Sequence, residues 1–82
     1  MANAEEYAQG VVELTKLQLG IPREEAVAID RKLSEYGVDS LDVMEIVMAC
    51  EERWSIEINE SDLPDDPTAL DVAKKIVEQV GG

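Results

Sequence analysis

The chain offers few side chains for chemistry. There is no His among its 82 residues, so imidazole metal sites, Ser-His triads and His acid–base steps are excluded. A single Cys closes no internal disulfide and supplies no thiolate cluster. Cys50 falls on the apolar arc of its helix with no local base to stabilise a thiolate, and reads as structural. Asp62, Asp65 and Asp66 are acids in a turn interrupted by Pro64 and Pro67, which reads as a solvated turn rather than a metal loop. Walker, Rossmann and EF-hand spacings are absent, so neither a catalytic residue nor a metal ligand is assigned. Ser40 stands apart. It follows a glycine-containing loop and opens the best-defined helix, where its hydroxyl would lie beside unpaired backbone N–H groups and the positive helix end. That position suits a phosphate carried on its oxygen. Its plainer reading is that Asp39-Ser40 caps a helix.

The elements that must position Ser40 follow from spacing. Asn3 caps a first helix, with Tyr7, Val11, Leu14 and Gln18 at spacings of three and four and Leu19 close by, closed by Gly20 and Pro22. Gly10 weakens its middle by about 1 kcal/mol relative to Ala. Residues 21–38 read as a packed loop with one helical turn, Leu33 and Tyr36 reaching the core. A second helix begins at Asp39-Ser40 and runs to about Arg53. Val43, Ile46, Val47, Cys50 and Trp54 share its core arc, and Asp42, Glu45, Glu52 and Arg53 the opposite one. Leu41, Met44 and Met48 form an exposed apolar ridge between them. Ile56-Glu57-Ile58 reads as a link, Asn59–Asp62 as a short turn of helix, and Leu63 as pointing inward. Thr68 caps a last helix whose apolar face is Leu70, Val72, Ala73, Ile76, Val77 and Val80, ended by Gly81-Gly82. The expectation is one all-α domain over residues 1–82, a small bundle of three main helices plus one short helix.

Composition narrows the partners. Nineteen acids against seven bases give a formal net charge of −12. Ten of those acids and one base, Arg53, fall in residues 39–66. Nucleic acid and anionic membranes are disfavoured, and proteins with basic docking patches favoured. The start of the chain has neither a basic n-region nor an apolar h-region, and no apolar run approaches a membrane span. The chain therefore reads as a soluble, cytoplasmic monomer without catalytic turnover.

Gly37-Val38-Asp39-Ser40-Leu41-Asp42, followed by Met44-Glu45-Ile46-Val47-Met48, resembles the attachment motif and second helix of acyl carrier proteins. The resemblance extends through Leu19-Gly20-Ile21, Glu51-Glu52, Ile56-Glu57-Ile58 and Thr68 to Val80. It implies that Ser40 carries 4′-phosphopantetheine, taken from coenzyme A by a separate phosphopantetheinyl transferase. It also implies that acyl groups travel as thioesters on that group between partner enzymes. Asp39, Leu41, Asp42, Met44, Glu45, Met48 and Glu52 match positions at which the family meets basic partners. Ile46, Ile58, Leu63 and Ala73 are expected neighbours of a bound acyl chain. Arg53, Trp54 and Leu63-Pro64-Asp65-Asp66-Pro67 depart from the fatty-acid pattern, which leaves fatty acid, polyketide or another specialised pathway open. Peptidyl carrier domains share the attachment serine, but acidity favours the acyl type. The alternative from another class is an unmodified acidic helical adaptor docking basic proteins through residues 41–52.

Overall fold

The computed structural model describes residues 3–80. Three α-helices carry the fold, α1 (Ala4–Leu19), α2 (Ser40–Trp54) and α3 (Ala69–Val80), with 3-10 turns at Leu33–Tyr36 and Glu60–Asp62. The domain is all-α, as expected, and no strand occurs among the described residues. No helix there is long and apolar enough to cross a membrane. The Gly81-Gly82 stop lies outside the described residues.

Each helix is bounded by local chemistry. Asn3 Oδ1 accepts the Glu6 amide at 3.0 Å to start α1, and Gly20 ends it at φ 71°, a left-handed conformation that costs glycine little. α3 opens on a reciprocal pair: Thr68 Oγ1 accepts the Asp71 amide at 3.0 Å, and Asp71 Oδ2 accepts the Thr68 amide at 2.9 Å.

The core holds Ala8, Val11 and Val12 of α1, Ile46, Val47 and Cys50 of α2, and Ala69, Val72, Ala73 and Ile76 of α3. α1 packs against both other helices, most extensively against α3. Its buried stripe is rotated from the expected one. Ala8, Val11, Val12 and Thr15 are buried, whereas Tyr7, Leu14 and Leu19 flank the core and Gln18 is exposed. The spacing 8, 11, 12, 15 fits a helix face as well as the expected one, but it includes a Thr. The Thr15 hydroxyl is accommodated by donating to the Val11 carbonyl at 2.8 Å. Val80 is also corrected: at the end of α3, four residues past Ile76, the last buried position of the helix, it is 41% exposed.

Residues 21–38 form the packed loop expected. Leu33 is fully buried, Val27 and Val38 nearly so, and the Tyr36 hydroxyl accepts the Ala28 amide at 3.0 Å. The loop is fastened to the start of α3 by the Leu33 amide donating to Pro67 O and the Leu70 amide donating to Ile29 O, each at 3.0 Å.

Gly10 has a structural reason. Trp54, at the end of α2, lies so close that a Cβ on Gly10 would sit 2.8 Å from the indole Cζ2. Tyr7 meets the same ring edge-on at 5.7 Å between centroids. Gly10→Ala should lower the melting midpoint despite gaining about 1 kcal/mol of helix propensity. In a Trp54→Leu background the same change should raise it, and thermal melts of the four proteins measure the coupling.

Ion pairs do little to offset the charge. Among the described residues only Arg31–Glu35 at 4.0 Å and Lys75–Glu78 at 3.3 Å qualify, both between close sequence neighbours. Self-repulsion therefore dominates. Thermal melts should show the midpoint rising between low and moderate sodium chloride, and rising further with divalent cations; a falling midpoint would reject this account.

Candidate functional site

Ser40 is placed by a turn anchored at both ends. The 3-10 turn Leu33–Tyr36 closes on Gly37, whose φ of 84° reverses the chain. Leu33, which opens the turn, and Val38, just past Gly37, are buried, which fixes where Asp39 emerges. Asp39 then caps α2. Its Oδ1 accepts the Asp42 amide at 2.9 Å, while Asp42 Oδ2 accepts the Asp39 amide at 3.2 Å. The Asp39 carbonyl accepts the Val43 amide at 3.0 Å, the first rung of the helix.

This reciprocal cap bears on Ser40. Helix capping is done by Asp39 and Asp42, so the Ser40 hydroxyl is not used for it. Ser40 is the first residue of α2 and is exposed. Its oxygen is therefore presented to solvent beside the positive end of a 15-residue helix. The other serines differ: Ser34 donates to Asp66, Ser61 to Asn59, and Ser55 ends α2.

A cleft of about 440 Å³ adjoins Ser40, between the start of α2 and residues 63–67. Val43, Met44, Leu63 and Pro64 give it an apolar surface. Its walls are tied together by the Ser34 hydroxyl donating to Asp66 Oδ2 at 2.8 Å. Of the four residues expected beside an acyl chain, only Leu63 lines this cleft; Ile46, Ile58 and Ala73 are buried in the core.

Along α2 the ridge stands as expected: Leu41 is 68%, Met44 43% and Met48 60% exposed. Asp39, Glu45 and Glu52 are exposed and Asp42 half-buried, so all seven residues lie on or beside one accessible face. Glu45 is additionally tied to α1, its Oε2 accepting from the Gln18 amide group. Neither that tie nor the Ser34–Asp66 bond was legible in sequence, because each joins positions 27 or more apart without periodic spacing.

Cys50 is fully buried, and burial, reinforced by the charge of Glu51, pushes its thiol up to about 12. It is inert near neutrality. Asp62, Asp65 and Asp66 form no metal-holding group, and none of three or more such ligands occurs among the described residues.

Residues 9–76 match the family described as the phosphopantetheine attachment site. The chain is 39% identical over 75 residues to acyl carrier protein 1, chloroplastic, of Hordeum vulgare, covering 92% of this chain and 50% of that protein. It is 37% identical over 75 residues to acyl carrier protein 4, chloroplastic, of Arabidopsis thaliana, covering 92% and 55%. To acyl carrier protein 1, chloroplastic, of Casuarina glauca it is 35% identical over 80 residues, covering 94% and 59%. The chain thus spans about half the length of the curated relatives it matches. With most of its length inside the matched region and an exposed serine opening α2, the chain belongs to the phosphopantetheine attachment family, in the company of acyl carrier proteins.

Proposed function

We propose that this chain is an acyl carrier that bears 4′-phosphopantetheine on Ser40 and presents acyl groups to enzymes of fatty acid, polyketide or related biosynthesis. The observation that supports this most is the division of labour at the start of α2. Asp39 and Asp42 satisfy the helix end, and the exposed Ser40 hydroxyl is left over. These residues fit the group. The serine supplies an oxygen for a phosphodiester, the helix end favours its charge, and the adjoining cleft leaves room beside it. The bound group supplies a thiol on which acyl groups are held as thioesters.

The chain's own residues present and steer rather than catalyse. A phosphopantetheinyl transferase activates the reaction, so Ser40 needs no base from this protein. Leu41, Met44 and Met48 offer apolar area beside Asp39, Asp42, Glu45 and Glu52, a combination suited to partners with a basic rim around an apolar patch. The same reading includes a monomer in the cytoplasm. The plant relatives are chloroplastic by name, and immunolocalisation in the source cells separates the two compartments.

Incubation with coenzyme A and a phosphopantetheinyl transferase should add one phosphopantetheine mass to the chain. Ser40→Ala should abolish the addition and change stability by about 0.5 kcal/mol or less, since the residue is exposed and outside the cap. Thiol titration with an aromatic disulfide reagent at pH 8 gives an independent reading. Cys50 should be unreactive in the folded unloaded chain, and loading should create one fast thiol. An unloaded chain, with mass unchanged after this treatment, would favour the acidic adaptor.

Glu45→Lys should slow association with a partner enzyme about tenfold at low salt, with helix content unchanged. Because Glu45 also holds Gln18, Gln18→Ala serves as the control and should leave the rate alone. Equal rates for Glu45→Lys and the parent chain would place docking elsewhere.

A further inference from the structure

The cleft beside Ser40 is chemically one-sided. Its apolar surface, including Val43, Leu63 and Pro64, is bordered by side-chain acceptors, and neither Lys nor Arg lines it. The Ser34 hydroxyl is already donated to Asp66 Oδ2. Asp66 is half-buried, and this bond from the 3-10 turn holds its carboxylate at the cleft while leaving Oδ1 available. A second anion is repelled by such a lining, and a plain alkyl chain would strip water from a carboxylate without replacing its hydrogen bonds. The suited occupant is neutral, has apolar bulk and brings N–H or O–H donors. The pantetheine portion of the family's group has that chemistry, with geminal methyls, a hydroxyl and two secondary amides, and it would start at the residue that opens the cleft.

We propose that Asp66, oriented by Ser34, is a positioning residue that docks the arm carried by Ser40 in this cleft by accepting a hydrogen bond from one of the arm's donors. The proposal rests on Ser40 being the attachment residue. Because the arm is tethered, docking is intramolecular, and an effective concentration in the millimolar range lets one charge-assisted hydrogen bond and modest apolar contact decide its position. Ser34–Asp66 as a mere loop staple predicts instead that the arm stays in solvent.

The test uses the full chain loaded at Ser40 with an isotope-labelled pantetheine arm, intact mass confirming loading in each variant. Nuclear Overhauser contacts from the arm methyls to Val43 and Leu63 are expected, with slowed exchange of one arm amide. Asp66→Ala should lower the docked-to-free ratio about tenfold, the ratio set by one such hydrogen bond. Asp66→Asn, with a single neutral acceptor oxygen for the arm and Ser34 to share, should restore only part of it, and Ser34→Ala should also fall between. A melting midpoint for each variant separates lost docking from lost folding. An arm in the parent chain with no contacts and amide exchange like free pantetheine would overturn the proposal while leaving attachment intact. So would undiminished docking in Asp66→Ala. Failure to load the parent chain at Ser40 would overturn both.

Discussion

The fold depends on how an 18-residue connection, whose one regular element is the 3-10 turn Leu33–Tyr36, satisfies its backbone. Helices pair their own amides and carbonyls, but residues 21–38 do so only in local turns, such as Glu25 N–H to Pro22 O and Gly37 N–H to Ser34 O, and an unpaired buried amide is costly. The solution is a seam. The Leu33 amide donates to Pro67 O while the Leu33 side chain fills the core, and the Leu70 amide, at the second residue of α3, donates to Ile29 O. Pro67, itself buried, contributes a carbonyl and needs no donor partner. This seam brings the loop before α2 against the loop before α3. The cleft beside Ser40 exists because those two segments are held at that spacing.

The seam also explains why the site needs no rigid secondary structure around it. Gly37 reverses the chain, Val38 anchors it, and the Asp39–Asp42 pair starts α2 within three residues of a buried side chain. Positional precision at Ser40 comes from burial of its neighbours and from the cap, while the serine itself remains in solvent. Exposure for the reacting partner and order in the backbone are thereby obtained together.

Much of this was legible in the residues. Caps at Asn3, Asp39 and Thr68 are local, and the core arc of α2 follows from period alone, so these readings match the structure. The loop was recognised by what it lacked. The buried stripe of α1 differs from the expected one because it includes Thr15, a polar residue whose hydroxyl bonds back to the helix. Gly10 looked like a local weakness, and its meaning lies in a ring 44 positions away. Asp66 looked like one more solvated acid because its partner, Ser34, lies in a different loop. Contacts between distant segments leave no periodic trace, and those contacts shape the cleft.

Trp54 has a consequence beyond packing. It is the chain's one tryptophan, wedged against Tyr7 and Gly10 at the far end of α2 from Ser40. Fourteen steps along a helix separate the two by about 21 Å. The indole is therefore a natural optical probe of the α1–α2 joint, out of direct contact with a phosphate group on Ser40. A change in its emission that follows attachment of a short group at Ser40 reports what travels along α2 or through the core, which makes this small domain a convenient system for measuring how far a surface event is felt.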